Sequence, residues 1–162
     1  MTARALAPFA LPFALALALA LAGCGALSPQ PQGCTEIGCV NGYQITLSSA
    51  SPWKAGKYTV EVVSDGVTTT CTATLPLTST STAECTGAGV QIGLSGSMLP
   101  AEQQSLSDIL LASTPKAVKI TVSRDGAQLV TKDFTPKYKT SQPNGPDCEP
   151  TCTSATDMLG LP

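Results

Sequence analysis

KYTVEVVSDGVTTTCTATL, residues 57–75, decides the fold class. Tyr58, Val60 and Val62 alternate with Thr59 and Glu61. Beyond Asp65-Gly66, Val67, Thr69, Cys71, Ala73 and Leu75 share a second face. Alternation with a period of two is the mark of a strand, because successive side chains point to opposite faces. Asp65-Gly66 supplies the tight turn, since Gly adopts positive φ with no Cβ to clash. Residues 57–75 are therefore expected to form a β-hairpin.

Working outward, the same rhythm returns. Tyr43, Ile45 and Leu47 alternate with Gln44 and Thr46. Val90, Ile92 and Leu94 alternate, as do Val118, Ile120 and Val122, and Ala83–Thr86 reads as a short strand carrying Cys85. Arg124-Asp125-Gly126 repeats the turn chemistry and leads into a strand up to Thr135. The part of that strand from Leu129 to Phe134 has no clean apolar face, which points to a bulge or a sheet edge. Thr78 to Thr82 holds no apolar residue and reads as a loop. Ala101–Leu111 differs: Leu106, Ile109 and Leu110 fall at helical spacing behind Pro100, so a short helix is expected there. In its strand rhythm the chain resembles immunoglobulin-like and fibronectin-like domains. It lacks their Cys…Trp…Cys order, because Trp53 precedes Cys71. The expected architecture is all-β: an immunoglobulin-like antiparallel β-sandwich of about seven strands with one short helix. The single domain should occupy residues 34–152, with 153–162 as a flexible C-terminal tail.

Residues 1–23 read differently from the rest. Arg4 is followed by an apolar run from Ala5 to Ala22, interrupted by Pro8 and Pro12 and ending in small residues. A positive start, an apolar middle and a small-residue end describe a secretory signal peptide. A membrane-spanning helix of about 20 residues is the competing reading, and the two prolines disfavour it. Leu21-Ala22-Gly23-Cys24 resembles the lipobox of bacterial lipoproteins. That resemblance implies that Cys24 is lipidated and becomes the first residue after cleavage. It also implies that the lipid on Cys24 attaches the chain to a membrane of the bacterial envelope. Gly25, standing where Asp often marks inner-membrane retention, leans towards the outer membrane. Residues 25–33, rich in Pro and Gln, read as a flexible tether behind Cys24. The whole chain resembles small cysteine-bearing bacterial lipoproteins, a resemblance that implies no activity.

The chain has 7 cysteines. With Cys24 lipidated, Cys34, Cys39, Cys71, Cys85, Cys148 and Cys152 remain, an even set that reads as three disulfides in an exported domain. Six cysteines allow 15 pairings. Cys71 with Cys85, on neighbouring strands, is the expected pair, and the pairing of the other four stays open. A zinc site at Cys34, Cys39, Cys148 and Cys152 is the alternative. Their spacings are looser than a zinc knuckle, so no metal is expected. The disulfides should matter, because the domain has few aromatic residues for a core: Tyr43, Trp53, Tyr58, Phe134 and Tyr138.

The composition excludes several chemistries. The chain has no histidine, so it holds no Ser-His-Asp triad, Cys-His dyad or imidazole metal ligand. Its net charge of −2 argues against nucleic-acid binding. No phosphate-binding, dinucleotide, calcium-loop or nucleophile-elbow motif occurs, and no cofactor is expected. Glu61, Asp65, Glu84, Asp133, Asp147 and Glu149 are scattered over strands and turns, where solvation or turn formation accounts for them. Two features are candidates for contact with an envelope protein or polymer. Trp53, before a strand, can stack on a partner or cap the core. Lys116, Lys119, Lys132, Lys137 and Lys139, with Arg124, form a basic stretch opposed only by Asp125 and Asp133. That stretch can dock an anionic partner, or its lysines can guard a sheet edge. The expected function is a non-catalytic, lipid-anchored binding or structural module of the envelope. The alternatives are a polysaccharide-degrading enzyme with a carboxylate pair, and a small protease inhibitor presenting a loop near Ser51 to Gly56.

Overall fold

The computed structural model describes residues 33–162. The expected signal peptide, Cys24 and the expected tether to residue 32 lie outside them. The compact unit runs Cys34–Pro162. It is an all-β sandwich of two five-stranded sheets. The first sheet contains β1 (Gly42–Ser49), β5 (Val90–Ser95), β6 (Ser105–Leu111), β9 (Lys139–Ser141) and β10 (Cys152–Leu161), in the order β5-β6-β1-β10-β9. The second contains β2 (Gly56–Ser64), β3 (Val67–Leu75), β4 (Glu84–Cys85), β7 (Val118–Arg124) and β8 (Ala127–Phe134), in the order β4-β3-β2-β7-β8.

The two Asp-Gly turns work as their chemistry requires. Asp65 and Gly66 have φ of 46° and 87°, and Asp125 and Gly126 have 49° and 82°. Two consecutive positive φ values twist the backbone in the sense that antiparallel strands need. The turns close the hairpins β2–β3 and β7–β8, and β2 pairs β7 to join them. The inward residues of both sheets form one core. Tyr43, Ile45 and Leu47 of β1 meet Tyr58, Val60 and Val62 of β2 and Ile120 and Val122 of β7. Buried Gln104 ties the two sheets' connections together. Its amide nitrogen donates to the carbonyls of Leu99 (2.9 Å) and Leu77 (3.3 Å), and its oxygen accepts from the Leu77 amide.

The expected helix over Ala101–Leu111 is not there. Ala101–Gln103 forms one 3₁₀ turn, and Ser105–Leu111 is strand β6. A bulge explains the misleading spacing. Leu106 pairs with Leu94, but Asp108 pairs with Gly93, so Ser107 is an extra residue in β6. The insertion shifts the inward parity by one, and Leu106, Ile109 and Leu111 are all buried. Three residues from Leu106 to Ile109 thus imitate a helical turn. A Cβ on Gly93 would lie 2.1 Å from Asp108 Oδ1, so glycine leaves room for the Asp108 and Ser107 side chains over the bulge. A second bulge lies between Val122 and Ser123, leaving Leu129 extra in β8, which is also an edge strand. Both causes of its unclear apolar face are therefore present.

The expected flexible tail, residues 153–162, is also corrected. Residues 152–161 form β10, which pairs in parallel with β1 from Gly42↔Ser154 to Ser49↔Leu161. Ala155, Leu159 and Leu161 are buried. Their apolar contacts, with the backbone hydrogen bonds to β1, hold this segment in its sheet. With the short strands β4 and β9 added, the sandwich has ten strands rather than about seven.

The disulfides are Cys34–Cys148, Cys39–Cys152 and Cys71–Cys85. Cys71 and Cys85 face each other across β3 and β4. The other two fasten residues 34–39, which contain no strand, to Cys148 just before β10 and to Cys152, its first residue.

Candidate functional site

Strand β10 is flanked unequally. On one side β1 covers it along its length. On the other, β9 pairs only with Cys152, Thr153 and Ser154. From Ala155 to Leu161 no strand covers that side among the described residues. Peptide groups alternate in direction along a strand. The Met158 carbonyl faces the open side, because Lys132 Nζ donates to it at 3.1 Å. The peptide groups of Thr156 and Gly160 share that direction by the same alternation.

Three of the predicted lysines gather along this flank. Lys132 reaches it from edge strand β8, with its ammonium 4.8 Å from the Phe134 ring. Lys137 and Lys139 lie at the end where β9 stops. They line a groove of about 490 Å³ with Thr135, Ser154 and Asp157. Asp157 stands at an inward position of β10, opposite Ile45 of β1. Its Oδ2 accepts the Tyr43 hydroxyl at 2.7 Å. Burial first, then this bond and the nearby Asp157 charge, push the Tyr43 phenol well above the ordinary tyrosine range. Tyr138, which donates to the Pro115 carbonyl at 2.9 Å, is raised by burial and then by Asp65. Tyr43 packs edge-on against Phe134 and Tyr138, so the floor of this end is a rigid aromatic cluster.

Other candidates fall elsewhere. Lys116 is exposed before β7, and its backbone amide donates to Asp65 at 3.0 Å. Lys119 sits on the exposed face of the second sheet, opposite Asp133 of β8. Trp53 is half-buried and packs on the core, its ring centroid 5.2 Å from that of Tyr58. The Tyr58 hydroxyl donates to the Lys54 carbonyl at 2.8 Å, which pins the 51–56 loop to the core. Trp53 also walls a groove of about 300 Å³ with Leu129, Leu161 and Pro162, at the far end of β10.

The carboxylates Asp65 and Asp125 are occupied with backbone amides. Asp65 accepts from Lys116 and Ala117, and Asp125 accepts from Lys57 at 2.8 Å. Asp147 has φ of 66°, and Glu149 accepts from the Thr151 amide at 2.8 Å. No group of three or more His, Cys, Asp or Glu suited to a metal occurs among the described residues. None of their helices is long and apolar enough to cross a membrane. The lipidation candidate, Cys24, lies outside the described residues.

Sequence reasoning missed Asp157, Tyr43 as its partner, and the open edge of β10. One signal was present, since Ala155, Leu159 and Leu161 keep strand parity. Asp157 interrupts that parity, and so the stretch reads as polar.

No protein-family model, curated protein or solved structure matches this chain.

Proposed function

We propose that this protein is a lipid-anchored, non-catalytic binding module of the bacterial envelope, and that it takes an acidic partner on the β8–β9–β10 flank. One observation carries the reading. Lys132, Lys137 and Lys139, from two strands and a connection, converge on the half-covered strand β10. Clustered cations raise the local concentration of an anionic partner and speed its docking. The domain suits a binding role, since three disulfides hold its surface in one shape. Asp65 and Asp125 shape turns, which supports a non-catalytic reading over a carboxylate-pair hydrolase.

The anchor rests on the lipobox-like Leu21-Ala22-Gly23-Cys24 and the tether behind it. Acyl chains on Cys24 would hold the module at the membrane, each buried CH₂ contributing about 0.8 kcal/mol. Labelled palmitate tests this half. Wild type should take up label and partition into detergent, and Cys24→Ser should do neither. An unlabelled, fully soluble wild type overturns the anchor. The binding half is tested by titrating the protein with poly-L-glutamate and poly-L-lysine. The acidic polymer alone should bind, and Lys137→Glu with Lys139→Glu should abolish it. Equal binding by that variant overturns the basic-flank reading.

A further inference from the structure

We infer that β10 receives its partner as an added strand: an extended acidic peptide pairs backbone-to-backbone with the open edge from Thr156 to Gly160. The inference rests on the basic-flank reading above and specifies how that flank binds. β9 ends opposite Ser154, and past Lys139 no strand among the described residues pairs with that side of β10. Thr156, Met158 and Gly160 offer three peptide groups on that line, and extended peptides bind sheet edges through such groups. The gap from Ala155 to Leu161 admits a segment about 20 Å long.

The charges around the edge select the occupant. Lys139 and Lys137 stand at its start, and Lys132 stands over its middle on the Met158 carbonyl. Asp157 is the carboxylate lining the same groove, and its Oδ2 accepts the Tyr43 hydroxyl. At the far end Leu129 and Leu161 border the Trp53 groove. A strand that is acidic beside Lys139 and apolar towards Trp53 matches both ends. On docking, the Lys132 ammonium leaves the Met158 carbonyl, which then accepts a peptide N–H, while the ammonium pairs with an incoming carboxylate.

The test uses the full-length protein in detergent and an acetylated heptapeptide of alternating glutamate and valine. The comparison peptide carries N-methyl groups on every second amide and cannot pair as a strand. The unmethylated peptide should bind at least tenfold more tightly. It should also slow hydrogen exchange at the Thr156, Met158 and Gly160 amides. Met158→Pro removes an outward N–H that β1 does not use, and proline is tolerated on strand edges; it should lose at least tenfold in affinity. The exchange measurement needs no variant, so it decides the matter even if Met158→Pro fails to fold. Equal binding of both peptides, with the three amides unprotected, overturns strand addition. If Lys137→Glu with Lys139→Glu still abolishes that binding, the basic-flank reading survives. No binding by the heptapeptide, with poly-L-glutamate still bound, likewise overturns strand addition alone. Sedimentation of the peptide-free protein as a dimer with those amides protected assigns the edge to a second copy and overturns the acidic occupant.

Discussion

Gly42 shows how closely the backbones approach in the first sheet. A Cβ at this position would lie 2.1 Å from the Leu111 carbonyl oxygen, and the residue has φ of 116°. The obstacle is backbone of the neighbouring strand and cannot rotate away. Gly42→Ala should therefore cost about 3 kcal/mol or more, from overpacking and strain together. Gly66, with φ of 87° and open space around its would-be Cβ, supplies the control. Gly66→Ala should cost only about 1–2 kcal/mol, the left-handed penalty alone. Urea denaturation of the two variants checks the order, and equal losses would show that the Leu111 carbonyl can yield. Tyr43 makes a separate prediction. Its phenol is raised in the folded state above the ordinary value near 10. Below pH 10 both states keep the proton and stability is unaffected. Above it the unfolded chain ionises first, so the folded state binds more protons and stability falls as pH rises. Tyr43→Phe should flatten that alkaline decline in a series of melts from pH 8 to 11. An unchanged slope would remove Tyr43 as its source.

Edge strands decide the character of this sandwich. β8 closes one side of the second sheet, and β10 is half-open in the first. A bare edge pairs readily with other chains, and charged side chains usually guard it. Lys132 does so across the two sheets: it belongs to β8 but bonds a β10 carbonyl. Lys132→Ala should therefore promote self-association at high protein concentration, while the melting temperature shifts little. Sedimentation velocity over a concentration series checks this, and a strictly monomeric variant counts against the guarding role. The hairpins β2–β3 and β7–β8 are legible in the sequence because local turn chemistry sets their register. β6 was not, because the extra residue Ser107 changes its parity and the bulge is defined only against Gly93 of β5.

The two terminal disulfides close the molecule on itself. Cys34–Cys148 spans 114 positions and Cys39–Cys152 spans 113. In the chain-entropy account, the first of these to form closes a loop worth about 4.8 kcal/mol. The second then closes only a small ring of about ten residues, worth about 2.7 kcal/mol. Removing either one should cost about 2.7 kcal/mol, because the other still holds the long loop. Removing both should cost about 7.5 kcal/mol, more than the two single losses added together. Chemical denaturation of the paired Cys→Ala variants measures this, and simple additivity would refute it. These bridges and the parallel β1–β10 pairing join the same distant parts of the chain. The ordered edge at β10 is thus held from both ends of the folded unit.

Alternation of apolar residues, two Asp-Gly turns and an even set of cysteines beyond Cys24 were enough to read an all-β, disulfide-held sandwich. Each of these signals is local, and Cys71–Cys85 joined them because its partners lie 14 positions apart on neighbouring strands. The remaining four cysteines allowed both long-range and local pairings, two of them long-range with comparable loop lengths, and spacing alone has no means of choosing among them. β10 was hidden for a related reason. Its partner β1 lies more than a hundred positions away, and its inward Asp157 makes sense only beside Tyr43. The basic flank likewise appeared in the sequence as a spread of lysines. Folding separated Lys116 and Lys119 from it and brought Lys132, Lys137 and Lys139 to one strand edge, because strand order across a sheet is set by contacts between distant segments.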